Sequence, residues 1–150
     1  MTTDELFTNA VGEWEGDYRL WLRGGEQPDA ESATRATVTS ELHGGTLLLR
    51  YDWRYEARGQ AGLAIITRTG DGGIEMGWSD TFHSATGVMH NDAVGTAATV
   101  YATYGPADAP WGWRTEFKMP SADELVIRAY NIPHGRPEAI ATEASYRRVG

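Results

Sequence analysis

The chain has 150 residues, of which 41% are hydrophobic and 23% charged, and its formal charge is −8, from 13 Lys+Arg and 21 Asp+Glu. These values are typical of one folded domain spanning residues 1–150, and they exclude a disordered or collagen-like chain. The acidic charge disfavours nucleic acid and anionic membranes as partners, and the absence of cysteine excludes disulfides, thiolate metal sites and thiol nucleophiles.

The N-terminal segment predicts a cytoplasmic location and one short helix. Residues 1–5 are acidic and lack the basic and apolar regions of a secretory signal. No later stretch reaches the roughly 18 apolar residues that cross a bilayer. Thr3 can cap a helix that runs through Phe7 and ends before Gly12. We expect this helix to plug or cover an opening of the domain.

Turn-forming residues then recur at nearly regular intervals, and the segments between them are rich in Val, Ile, Thr, Tyr and Trp, which favour strands. No gap has room for a crossover helix, so we expect neighbouring strands to pair antiparallel and the sheet to close, because closure removes its edges. The predicted fold class is all-β: a closed antiparallel up-and-down barrel of about ten strands with a short N-terminal helix. The predicted strands are 13–22, 32–42, 46–56, 60–68, 74–81, 88–94, 97–104, 111–119, 124–132 and 139–148.

Aromatic and apolar side chains alternate with polar ones along these segments. Leu49, Tyr51 and Trp53 share one face of their strand, while Arg50 and Asp52 lie on the other. Four strands send rings to the same side, which predicts an aromatic interior that binds a small, largely apolar ligand. The predicted ligand-binding residues are Tyr18, Leu20, Tyr51, Trp53, Met76, Trp78, Trp113 and Phe117, with Asp80 and Arg128 or Tyr130 orienting a polar end.

A solid core is the alternative, because interior positions of small barrels can simply be filled by side chains. Ten strands, however, enclose more volume than the eight of barrels that already hold one ligand. Asp80 is the one acidic residue on a strand face that otherwise carries apolar side chains. A buried carboxylate must find a partner, or its pKa rises. Its alternative role is a structural one, as an acceptor for backbone amides or a tyrosine.

The opening of the first predicted strand, Gly-Glu-Trp-Glu-Gly at 12–16, resembles the G-x-W-x-G signature of calycin barrels, the group of lipocalins and fatty-acid-binding proteins. That resemblance implies that Arg148, on the last strand, lies as a cation over the ring of Trp14. With Trp-Ser-Asp-Thr-Phe-His at 78–83 and the Arg-ending last strand, the chain also looks like an uncharacterised bacterial family. For that group a fold is implied and a reaction is not.

Two departures limit which ligand the resemblance implies. Fatty-acid-binding proteins hold a carboxylate with Arg-x-Tyr on the last strand, whereas Arg128-Ala129-Tyr130 lies here on the penultimate one. Haem-binding barrels with a similar opening need a histidine near the C-terminus, and the last strand has none. We therefore expect no cofactor, and a fatty acid is only one candidate ligand.

His83 and His90 flank a predicted hairpin loop close to Asp80. If His83 pairs with Val88, then His90 pairs with Thr81 and both imidazoles share one face about 7–8 Å apart, whereas a one-residue slip places one beside Asp80. No third ligand falls at a recognised metal spacing, so no metal site is expected. Asp80 with His83 or His90 could transfer protons, which keeps an isomerase, cyclase or hydrolase as the alternative function.

Trp21 supports a third possibility, a domain that forms a homodimer. The alternation places this ring on the outer face of the first strand, and exposed tryptophans are often anchors for partners. The sequence therefore leaves three hypotheses open: a ligand-binding barrel, an enzyme on the same barrel, and an oligomer-forming domain.

Overall fold

Ten antiparallel strands close into a barrel, each paired with the next and the last with the first, in a computed structural model that describes all of residues 1–150. The predicted fold class is confirmed. Strand ends differ from the prediction by a few residues, because hydrogen bonding rather than composition sets them. The elements are α1 (Thr3–Asn9), β1 (Gly12–Leu20), β2 (Ala30–Glu41), β3 (Thr46–Tyr55), β4 (Arg58–Arg68), β5 (Ile74–Asp80), β6 (Met89–Ala93), β7 (Thr99–Tyr104), β8 (Trp111–Ser121), β9 (Glu124–Ile132) and β10 (Ala139–Arg148).

Helix α1 covers one end of the barrel, as expected. Its cap is Thr2 rather than the predicted Thr3: the Thr2 hydroxyl accepts the Glu5 N–H at 3.2 Å, and the Glu5 carboxylate accepts the Thr2 N–H at 2.7 Å. This reciprocal capping box satisfies two N–H groups that the first helical turn leaves unpaired. Thr3 is instead buried, and Leu6 on the next turn packs into the interior as part of the plug.

The contact predicted between Arg148 and Trp14 is present, with the guanidinium carbon 4.3 Å from the ring centroid. The same guanidinium donates to three backbone carbonyls: Asn9 at 2.7 Å, Val11 at 2.8 Å and Ala122 at 2.9 Å. These carbonyls belong to the last residue of α1, the residue before β1 and the turn between β8 and β9. One side chain therefore ties the helix plug and two parts of the barrel rim together.

The two glycines of the opening motif have separate physical roles. A Cβ at Gly16 would lie 1.8 Å from the Ser145 carbonyl oxygen, so only glycine allows β1 and β10 to approach this closely. Gly12 has a φ of +146°, and a Cβ there would lie 2.6 Å from Nη1 of Arg148. The motif thus combines close strand packing with room for the guanidinium.

Trp21 is not exposed, so the prediction of an outward-facing ring is wrong. β1 ends at Leu20, one residue before it, and the Trp21 N–H donates to the Ala141 carbonyl at 2.9 Å. Because the strand stops there, the alternation no longer decides the direction of the side chain, which is only 9% exposed. An interface anchored on this ring therefore has no basis.

No helix is both long enough and apolar enough to cross a membrane.

Replacing Arg148 with Met should lower the free energy of unfolding by roughly 2–4 kcal/mol, because charge-assisted hydrogen bonds and the cation–π contact are lost together. Urea denaturation followed by tryptophan fluorescence measures the change. Arg147→Met is the matched control. The Arg147 side chain is 79% exposed, so its replacement should change the free energy of unfolding by less than about 0.5 kcal/mol. Equal losses in both variants would show that Arg148 does not tie the rim.

Candidate functional site

A cavity of about 50 Å³ lies inside the barrel, lined by fourteen residues of which twelve are hydrophobic. Its walls come from the inward faces of β1, β3, β4, β5, β8, β9 and β10. The cavity exceeds the space that one water needs, but it is well below the roughly 300 Å³ of ordinary ligand sites. In this conformation the interior is therefore largely filled by its own side chains.

Many of the predicted ligand-binding residues lie on the cavity wall. Those on the wall are Tyr18, Tyr51, Met76, Trp78, Trp113 and Phe117. Leu20 and Trp53 are buried in the core away from the wall, and Asp80 lies toward the barrel mouth. The sequence analysis missed Leu49, Ala64, Thr115, Ile127, Ala129, Thr142, Ala144 and Tyr146. Strand alternation places most of these on the same face as the aromatic residues. All of them except Tyr146 lack a ring and so made no aromatic signal, whereas Tyr146 could have been found by its ring.

Arg128 and Tyr130 lie outside the barrel, so the prediction that either orients a ligand is wrong. Arg128 Nε donates to the Glu143 carboxylate at 2.6 Å, and the Tyr130 hydroxyl donates to Glu116 at 3.1 Å. The inward positions of β9 are instead taken by Ile127 and Ala129, whose side chains line the cavity. The barrel interior thus has no arginine to receive a ligand carboxylate.

Tyrosine hydroxyls are the main polar groups at the cavity. The Tyr51 hydroxyl accepts the indole N–H of Trp78 at 2.9 Å. The Tyr146 hydroxyl lies 3.2 Å from Thr34 Oγ1, which donates its own proton to the Asp52 carbonyl at 2.6 Å. Tyr146 must therefore be the donor to Thr34, because that hydroxyl has only one proton.

Burial raises the pKa of Tyr18, Tyr51 and Tyr146 above the usual value for tyrosine, because a phenolate would lose its hydration there. The negative charge of Asp80 acts in the same direction on Tyr18 and Tyr51. All these hydroxyls are consequently protonated near neutral pH. The interior offers hydrogen-bond donors and resists a negative charge.

Aromatic rings close the end of the barrel opposite α1. Trp53 stacks on Tyr18 with 4.1 Å between ring centroids, and the Phe82 ring meets Trp53 edge-on at 5.2 Å. The His83 ring lies 4.8 Å from Phe82 and 5.1 Å from Trp113. We call Phe82 and His83 the aromatic lid, since both belong to the connection between β5 and β6 and pack onto rings that the strands supply.

Asp80 holds this connection through both carboxylate oxygens. Oδ2 accepts the His83 backbone N–H at 3.0 Å and lies 3.1 Å from the His83 Nδ1 atom, while Oδ1 accepts the Ser84 N–H at 2.6 Å. Burial would raise the pKa of Asp80, but the hydrogen bonds from His83 and Ser84 outweigh it and hold the pKa below its usual range. Asp80 is therefore an ionised acceptor that fixes the aromatic lid.

His90 lies away from this pair, so neither register considered from the sequence is correct. In the structure Trp78 pairs with Met89 and Gly77 with His90, because the connection from 81 to 88 is longer than the predicted loop. The His90 side chain points outward, is 68% exposed and lies 3.5 Å from Asp92. Of the two predicted acid–base combinations, the structure brings together only Asp80 and His83.

No three His, Asp or Glu side chains come together in a way that could hold a metal ion. The Asp80–His83 pair has the geometry of a base with an orienting carboxylate, because the carboxylate fixes Nδ1 and leaves Nε2 for another partner. Chemically, the site offers an apolar wall, hydrogen-bond donors from its tyrosines and one imidazole at its end.

The fold resembles solved structures, but no protein-family model and no curated protein sequence matches the chain. An S-type phycobiliprotein lyase from Guillardia theta superposes with a TM-score of 0.58 at 11% identity, covering 100% of this chain and 94% of the lyase. A designed fluorescence-activating β-barrel gives a TM-score of 0.48 at 12% identity, with 97% and 98% covered. At 11% identity, the likeness to the lyase shows the barrel fold alone.

Replacing Asp80 with Asn should loosen the aromatic lid and lower the free energy of unfolding by roughly 1–3 kcal/mol, because the amide cannot accept all the bonds that the carboxylate accepts. Acrylamide quenching of tryptophan fluorescence should rise at the same time. Since the folded pKa lies below the ordinary 3.8, the Asp80 stabilisation is complete above that pH and is lost as pH falls through the folded value.

The stability gap between wild type and Asp80→Asn should therefore narrow below about pH 4. Asp71→Asn, in the exposed turn between β4 and β5, is the control and should change neither stability nor quenching. A pH-independent gap would mean that the carboxylate charge does not fix the lid.

Proposed function

We propose that this protein binds a small, flat, largely apolar molecule inside the barrel. The observation that carries the proposal is a cavity inside the barrel with an almost entirely hydrophobic wall into which protonated tyrosines project. Apolar walls supply most of the binding free energy of such sites, and a few polar groups fix the orientation of the ligand. Rings on several strands favour a flat or aromatic ligand, since they can stack on it.

A ligand larger than the present cavity needs the aromatic lid to move. Residues 82–88 lie outside the strands, and much of their backbone hydrogen bonding is local, from His83, Ser84 and Thr86 to Asp80 and from Gly87 to Ser84. Loops of this kind open at lower free energy than the sheet does. Withdrawal of Phe82 and His83 would extend the cavity toward Trp53 and Trp113 without breaking a pair of strands.

We also propose a calycin-like relationship, a cytoplasmic location and a small molecule as the partner. The opening motif with the Arg148 contact to Trp14 supports the first, and the acidic charge supports a partner that is neither nucleic acid nor an anionic membrane. The structurally similar lyase is by its name an enzyme of phycobiliproteins. We infer no lyase reaction from that likeness.

Binding is tested with flat apolar probes, Nile red among them, and by native mass spectrometry of the purified protein for a bound molecule. Ala129→Phe should weaken probe binding at least about tenfold, because the ring fills the cavity. Val126→Phe, on the outer face of the same strand, is the matched control and should bind like wild type. Equal affinity in both variants, with unchanged melting curves, would place the probe outside the barrel and defeat the proposal.

Proton transfer is the second candidate function, because Asp80 lies within 3.1 Å of the His83 ring at the barrel entrance. A substrate with its apolar part in the barrel would present its reacting group to the imidazole. The test follows any molecule found by native mass spectrometry during incubation with wild type and with His83→Gln. Conversion by wild type alone supports an enzyme, whereas recovery of the unchanged molecule from both leaves binding as the function.

A further inference from the structure

We infer that the barrel selects uncharged molecules that carry a hydrogen-bond acceptor, such as a ketone, aldehyde, ester or amide carbonyl, and that it rejects carboxylates. The inference rests on the proposed function and names the chemical class of its ligand. It follows from the charges and unpaired donors around the cavity, which the apolar lining alone does not reveal.

The interior contains no positive charge that could balance an anion. No Lys or Arg is buried, and Asp80 is the one buried charged residue. His83 is the nearest group that can become cationic, but its Nδ1 atom already faces the Asp80 carboxylate at 3.1 Å. A ligand carboxylate would therefore leave water without gaining an ion pair, and it would lie in the field of Asp80.

The same two effects act on the tyrosines. Burial, and to a smaller degree the Asp80 charge, raise the pKa of Tyr18 and Tyr51. A carboxylate placed at the same hydroxyls would meet the same loss of hydration and the same repulsion. The property that keeps these side chains protonated therefore also excludes anionic ligands.

Unpaired donors favour an acceptor on the ligand. The Tyr51 hydroxyl accepts from Trp78, but its own proton has no acceptor in the protein. The indole N–H of Trp53 is buried without any partner, and this ring stacks on Tyr18 directly behind the cavity wall. Because a buried unpaired donor is costly, a carbonyl oxygen that reaches Tyr51 gains a bond without displacing an existing one.

The shape of the wall suits a flat ring system attached to that carbonyl. Trp78 and Trp113 stack nearly parallel, 5.6 Å apart at 12° between planes, and both line the cavity. Trp78 also holds Tyr51 in place through its indole N–H. The same ring thus offers an aromatic surface and orients the donor that lies next to it.

Matched naphthalenes test the inference on the intact protein at neutral pH, with tryptophan fluorescence and calorimetry as readouts. The probes are naphthalene, 2-acetylnaphthalene and 2-naphthoate. We expect acetylnaphthalene to bind at least about tenfold more tightly than the naphthoate and more tightly than naphthalene. Equal or tighter binding of the naphthoate overturns the inference while the proposed function survives, and the absence of binding by all probes overturns both.

Tyr51→Phe identifies the donor. In wild type the carbonyl infrared band of bound acetylnaphthalene should shift to lower frequency, and in the variant this shift should be largely lost together with about tenfold in affinity. Naphthalene affinity should fall by much less than acetylnaphthalene affinity, which separates loss of the donor from damage to the pocket. Tyr101→Phe on the outer face is the matched control. An equal band shift in Tyr51→Phe overturns the assignment of this donor.

Discussion

Closure of the sheet by the pairing of β1 with β10 is the constraint on which the other features depend. The register that sets Gly16 opposite Tyr146 and Tyr18 opposite Ala144 joins the first and last strands without an edge. Once the sheet is closed, strand alternation sends every second side chain into one shared space. Arg148 supports this join at its rim, because it holds Trp14 and the end of α1 against the last strand.

The interior is organised by one buried charge whose partners are local. Asp80 sits at the end of β5 and draws its hydrogen bonds from His83 and Ser84 within the following turn. A buried carboxylate with several backbone donors is tolerated because those donors replace its lost hydration. The hydrogen bonds that stabilise the charge also hold Phe82 and His83 over the barrel mouth. The same contacts therefore keep Asp80 ionised and keep the aromatic lid in place.

The chemistry around the cavity follows from the same arrangement. Its rings pack closely enough to leave about 50 Å³, while Tyr18, Tyr51 and Tyr146 stay protonated. Without a buried cation, the wall supplies hydrogen-bond donors and no partner for an anion. Packing and polarity therefore agree with the neutral ligand that we propose, and opening of the aromatic lid would admit it.

The sequence by itself determined the strand number, the closed antiparallel fold and the inward side of rings such as Tyr51, Trp78 and Trp113, because period-two alternation is a local property of the backbone. The sequence could not decide whether Arg128 faces the interior or the outside of the barrel, because both faces of Leu-Val-Ile-Arg-Ala-Tyr in β9 carry apolar residues. Only the tertiary structure separated His90 from Asp80, because the register across a long connection depends on partner strands rather than on the loop. The cavity volume was likewise decided in three dimensions, by how rings from distant strands pack against one another.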